Sequence, residues 1–206
     1  MAVRVLGIDP GLTRCGVGVV DVEPNRTATL VDVTVIRSSP DDTIEKRLLT
    51  IATGLTELLD RHKPQAVAIE RVFAQNNVST VMGVAQISGV ALFLSAQRGL
   101  AVGMHTPSEV KASITGYGSA DKAQVGAMVA RILKLAEPPK PADAADALAI
   151  AICHAWRTGV SGGTLPAARL PGSPDSLAGG LTPAQKAWRA AEAGSRMSAV
   201  PRSLKR

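Results

Sequence analysis

Residues 3–22, VRVLGIDPGLTRCGVGVVDV, hold two apolar, β-rich runs, 3–9 and 16–22, separated by a turn built on PGLTR. A link this short suits antiparallel strands, so the two runs read as a hairpin. The first run ends on Asp9. Aspartate is disfavoured inside a sheet, and a buried carboxylate is costly unless something charged pairs with it. An Asp ahead of Pro-Gly is also an ordinary turn residue. Position alone leaves both readings open.

The rest of the pattern extends the hairpin. Residues 28–37 alternate Leu30, Asp32 and Thr34 with Val31, Val33 and Val35, which predicts a third antiparallel strand. A helix follows, capped by Asp41, Asp42 or Thr43. Ile44, Leu48, Leu49, Leu55, Leu58 and Leu59 form its apolar face, and Pro64 stops it. AVAIE (66–70) is a short strand that again ends on an acid, Glu70. Beyond it the spacing predicts a long apolar helix over 77–98, a strand over 101–105, a short helix around 108–114, and helices over 121–136 and 142–157. Sequential strands followed by alternating helices and strands imply an α/β fold: a five-stranded mixed sheet flanked by helices.

Composition divides the chain at about residue 159. Of the 47 residues from Val160 to Arg206, 26 are Ala, Gly, Pro or Ser, too few apolar side chains to offset the entropy of ordering. The expected organisation is a domain over 1–159 and a mostly disordered tail over 160–206, with room for a short helix at 183–193. The tail holds seven basic and two acidic residues, so most of the net charge of +6 resides there. Weak non-specific affinity for DNA is the expected result. Inside the domain, residues 1–70 carry eight basic and ten acidic groups, whereas 98–134 carry five basic and two acidic. An acidic half facing a basic half fits a metal-dependent enzyme acting on a phosphate backbone, and fits an ordinary surface as well.

The apolar runs VALFL (90–94) and LAIAIC (148–153) are too short to span a bilayer, and Arg4 and Asp9 interrupt any signal-peptide core. A soluble, cytoplasmic protein without membrane contact is expected. Cys15 and Cys153 lack partners at zinc-ligand spacing and read as buried free thiols.

A third acidic element is PADAADALAIAI. Asp143 and Asp146 are three apart on the last predicted helix, so they share a face at about 4.5 Å along its axis. They could be N-terminal charges favoured by the helix dipole. Two strand-end acids beside a helix-borne pair suggest instead a site for hard divalent cations, which offset carboxylate repulsion.

GIDPG, AIERVFAQ, GSADKAQV and DAADALAIAICH, in that order and spacing, resemble the RuvC family of bacterial Holliday-junction resolvases over about residues 2–157. The resemblance implies an RNase H-like fold and a homodimer that cuts four-way DNA junctions by paired symmetric nicks in recombination and repair. It implies catalytic and metal-binding roles for Asp9, Glu70, Asp143 and Asp146, with two Mg²⁺ per site and Mn²⁺ able to substitute. Asp9 is the expected bridging ligand because the first strand is central in that fold. Lys111 and Lys122 are implied to hold DNA phosphates. Phe73 is implied to stack on a base at the crossover, a core position being the alternative, and Tyr117, between two glycines, is a weaker candidate for the same task. RuvA and RuvB, the branch-migration proteins, are implied partners. The 77–98 helix reads equally as a dimer interface or as a core helix.

His62 suits the dipole at a helix end. His154 lies about 16 Å further along the last helix than Asp143 and cannot share a metal with it. His105 has no assigned role. Two other readings differ in class. GIDPGLTRCGVG also resembles the phosphate loop of actin-like phosphotransferases, although its GxG (16–18) falls inside a strand and no GxxxxGK[ST] loop is present. A non-catalytic junction-binding module with the same fold would be marked by loss of an acid, and all four are present.

Overall fold

The computed structural model describes residues 1–71 and 78–158. Phe73 and the 160–206 tail, with the helix expected at 183–193, lie outside the described residues. Five strands form one sheet in the order β3-β2-β1-β4-β5: β1 Val3–Asp9, β2 Arg14–Val22, β3 Ala28–Arg37, β4 Ala66–Glu70 and β5 Ala101–His105. β1, β2 and β3 are antiparallel, whereas β4 and β5 run parallel to β1. The mixed sheet expected from the alternation is therefore present, with β1 at its centre.

Period-two alternation gives the sheet two apolar faces. Leu6, Ile8, Val17, Val19, Val67 and Ile69 point to one side. There they meet α1 (Ile44–His62) and α2 (Val78–Gln97) through Ile51, Leu55, Ile87 and Leu94. Val5, Val20, Val22, Ala66 and Ala68 point to the other side. They meet α3 (Pro107–Thr115), α4 (Lys122–Ile132) and α5 (Ala142–Thr158). Cys15 and Cys153 are free and buried, and burial pushes the Cys15 thiol up to about 12, so it remains a neutral core side chain. Among the described residues no helix is long and apolar enough to cross a membrane.

Three details differ from expectation. α4 stops at Ile132 rather than 136, because Lys134 adopts a left-handed backbone (φ 55°) and Leu135 N–H bonds back to Ala130 O. In α1, Ile44 and Leu49 are exposed. They lie outside the stripe of Ile51, Leu55, Leu58 and Leu59 that meets the core. β2 starts two residues early, which places Arg14 in the sheet opposite Arg37.

The face toward α5 is lined by small residues. An added Cβ on Gly7 would lie 2.2 Å from Ala147 O, one on Gly16 2.1 Å from Asp143 O, and one on Gly18 2.8 Å from Leu148 N. Gly7 pairs with Gly18, and Gly16 with Asp9. Glycine inside a strand often marks such a close backbone approach. The helix that meets this surface is rich in alanine, with Ala144, Ala147 and Ala151 buried. The absence of Cβ atoms lets α5 lie directly on β1 and β2.

Candidate metal and nucleic-acid site

Parallel pairing brings two of the acids to one edge. Ile8 is in register with Ile69, so Asp9 and Glu70 end neighbouring strands at the same end of the sheet. Both lie on the α5 side, since Asp9 is opposite Gly16, whose missing side chain faces Asp143 O. The first turn of α5 supplies Asp143, and Asp146 follows one turn later. Three sequence-distant elements therefore place Asp9, Glu70, Asp143 and Asp146 in one neighbourhood.

The electrostatics record their proximity. Asp9 is pushed up to about 7, first by burial and then by the charges of Glu70, Asp146 and Asp143, with Lys122 opposing. Glu70 is raised by burial and Asp146, with Lys122 and Lys111 opposing. Lys122 Nζ donates to Asp146 Oδ2 at 2.9 Å, a bond that raises the lysine. Arg14 Nε lies 3.0 Å from Asp143 Oδ2, yet that buried oxygen makes no hydrogen bond. The charges are adjacent, but the approach is poorly directed.

The donor set is all carboxylate oxygen, which suits Mg²⁺ or Mn²⁺. An unbonded buried oxygen on Asp143 and a carboxyl at Asp9, held up first by burial and then by its acidic neighbours, would both be relieved by a cation. Among the described residues no three acidic, histidine or cysteine side chains converge closely enough to form a finished cage. Two of the acids are turned toward Arg14 and Lys122 instead. The residues fit a divalent ion, and Arg14 and Lys122 lie against Asp143 and Asp146.

Lys111 in α3 and Lys122 at the start of α4 flank the acids. Both act electrostatically on Glu70. Each helix start is fixed by a reciprocal capping box, Thr106 with Glu109 and Asp121 with Gln124. Tyr117, in the loop between them, is 64% exposed. Its ring is free to meet a partner rather than filling the core.

Sequence reasoning missed four features. Arg14 was only one of many surface charges. The glycines at alternate positions 16 and 18 were the available signal for close helix packing. His105, left unassigned, forms a buried pair: its Nε2 lies 2.9 Å from His154 Nδ1, and Gly103 makes room for the His154 ring. His62 likewise has a partner beyond the helix dipole, with Nε2 at 2.7 Å from Asp32 Oδ2.

Burial, and secondarily His105, lower His154 to about 4 from its ordinary 6.5. A depressed histidine means that the unfolded chain takes up the proton first. Stability therefore falls as pH drops from about 6.5 toward 4. Between pH 6.5 and 5 this costs about 2 kcal/mol. His154→Gln should lose less melting temperature over that range than the parent, by several degrees, in thermal melts. Parallel pH profiles would refute the assignment.

The family model described as "Crossover junction endodeoxyribonuclease RuvC" matches residues 5–154. A protein of that name from Leifsonia xyli subsp. xyli is 65% identical over 208 residues, covering 100% of both chains. Another from Clavibacter michiganensis subsp. michiganensis is 62% identical over 194 residues, covering 92% of this chain and 96% of its own. Among solved structures, "T. thermophilus RuvC in complex with Holliday junction substrate" superposes with a TM-score of 0.72 at 37% identity. It covers 75% of this chain and 94% of the other.

Proposed function

Because the chain belongs to the RuvC family of crossover junction endodeoxyribonucleases, with an RNase H-like fold, we propose that it resolves four-way DNA junctions by paired symmetric nicks. Its place is in recombination and repair in the cytoplasm. The observation that carries this reading is the meeting of Asp9, Glu70, Asp143 and Asp146 at one end of the sheet, flanked by Lys111 and Lys122. These four acids would hold the divalent ions, two Mg²⁺ per site, with Asp9 on the central strand as a shared ligand. When bound, the ions supply Lewis acidity and a water activated at neutral pH. The chain itself orients the substrate. Lys111 and Lys122 bind backbone phosphates, and Lys122 must then release Asp146. Tyr117 offers a stacking surface beside them, and Phe73, just past Glu70, is assigned to a base at the crossover. RuvA and RuvB are the proposed partners.

A phosphotransferase reading finds no support in the geometry. Gly16 and Gly18 lie inside β2, closed over by the backbone of α5, rather than in a loop that opens a helix and leaves its N–H groups free for a phosphate.

Two symmetric nicks require two sites, which a C₂ dimer provides. α2 has no charged residue, and its exposed positions Met82, Ala85, Gly89, Phe93 and Ala96 recur at helical spacing. Its inner positions Ile87, Ala91 and Leu94 pack on the sheet, so the helix serves the core on one side and a second copy on the other. Phe93, 61% exposed, sits in the outer stripe. Phe93→Glu should weaken dimerisation at least about tenfold by placing an unpaired charge in an apolar contact. Sedimentation equilibrium measures this, and an unchanged dimer would remove α2 from the interface.

The function is tested with a labelled four-way junction and a matching linear duplex, each with Mg²⁺ or with EDTA. Paired nicks in the junction alone, with Mg²⁺ alone, are expected. Junction binding without cutting would leave a binding module.

A further inference from the structure

The Arg14–Asp143 contact has three features that set it apart from an ordinary surface ion pair. Its carboxylate belongs to the acidic cluster and is only 17% exposed, whereas the Arg14 side chain is 55% exposed. The two groups are 3.0 Å apart, but the buried Asp143 Oδ2 accepts no hydrogen bond. The backbone that carries Arg14 is pinned, since Arg47 Nη2 donates to Thr13 Oγ1 at 2.7 Å and Ser38 N–H donates to Thr13 O at 3.1 Å. A pinned strand end thus presents an exposed guanidinium to a mostly buried acid, without a directional bond between them. Lys122, by contrast, makes a true hydrogen bond to Asp146.

We propose that Arg14 is the resident counter-ion of Asp143, neutralising it while the cluster lacks its cation and passing to a DNA phosphate once a divalent ion takes the carboxylate. A divalent cation outcompetes a poorly aligned guanidinium at a hard oxygen and then repels it. The released side chain stands at the same end of the sheet as the acids. Its planar fork matches two phosphate oxygens, which a lysine cannot do. Arg37, opposite Arg14 on β3 and also exposed, adds to the positive field there. The phosphate half of this inference rests on the junction-resolving reading above; the competition half does not.

The test uses the full chain, Arg14→Gln and Arg14→Lys, alone and combined with Asp143→Asn. Mn²⁺ is titrated into the DNA-free protein and followed by the paramagnetic signal of the free ion. Arg14→Gln should bind Mn²⁺ several-fold more tightly, Arg14→Lys should stay near the parent, and in the Asp143→Asn background the substitution should change nothing. Junction binding is then measured against salt concentration. In Ca²⁺, Arg14→Gln should reduce the slope of log K against log salt by about one. In EDTA, where the guanidinium remains on Asp143, the slope should match the parent. Unchanged or weaker Mn²⁺ binding would overturn the counter-ion role. An equal loss of slope in EDTA and Ca²⁺ would overturn the transfer. If the parent shows no junction preference, the functional reading fails while the Mn²⁺ result still decides the competition.

Discussion

Asp9→Asn should cut four-way junctions at least about 10³-fold more slowly than the parent in single-turnover assays, while binding the same DNA equally well. The size follows from about 4 kcal/mol of lost transition-state stabilisation, at 1.36 kcal/mol per tenfold. Asp9 ends the central strand, and the other three acids all act on it. No neighbour can take its place. Cutting within tenfold of the parent would return Asp9 to the role of a turn residue. The same substitution should stabilise the protein in the absence of divalent ions. The Asp9 carboxyl is raised from 3.8 to about 7, so the folded state is penalised above pH 3.8 and fully so above 7. Replacing it removes a penalty of at most about 4 kcal/mol. In EDTA, Asp9→Asn should therefore melt several degrees above the parent at pH 8, and the gap should close as pH falls toward 4. Adding Mg²⁺ should raise the parent and leave the variant nearly unmoved. A variant that melts lower at pH 8 in EDTA would show that the carboxylate is paired rather than repelled.

Gly16→Ala should abolish most cutting through geometry alone. The new methyl carbon would meet the Asp143 carbonyl at 2.1 Å, where neither backbone can yield cheaply. α5 must rise from the sheet or tilt at its first turn, and Asp143 and Asp146 move with it. Overpacking of this kind costs about 1–3 kcal/mol, and a displacement of about 1 Å at reacting groups costs about 10²-fold in rate. Gly7→Ala, with Ala147 O at 2.2 Å and Ala151 N at 2.7 Å, should lose stability to a similar or greater extent. Gly126→Ala is the contrasting case. Its Cβ would meet only Pro138 at 3.7 Å within α4, so the change should stabilise by about 0.5–1 kcal/mol. Urea melts and junction cutting on the three variants separate these effects. A Gly16→Ala protein with parental activity would refute the close seat of α5.

Much of this organisation was legible because it is local. Apolar runs of period two, Pro64 after an amphipathic stretch and the acid-terminated strands mark elements whose boundaries depend on nearby residues. The RNase H-like arrangement and the four acids followed from motif order. The helix-borne pair was legible because a spacing of three fixes a shared face. What escaped notice is non-local. Arg14 meets Asp143 across 129 positions, and only the docked helix makes that contact. The His105–His154 pair depends on Gly103 giving up a side chain on the strand facing His154. Leu49 belongs to the same apolar list as Leu48, yet faces outward because α1 buries a narrower stripe than its leucines allow.

The order of the elements along the chain has a consequence during synthesis. Asp9 and Glu70 leave the ribosome early, whereas Asp143 and Asp146 lie on the final helix of the described domain. A nascent chain ending before residue 142 carries only Asp9 and Glu70 of the four acids. The full set assembles when α5 is complete and settles onto the glycines of β1 and β2. The acidic cluster is thus a property of the whole domain and of no shorter N-terminal fragment.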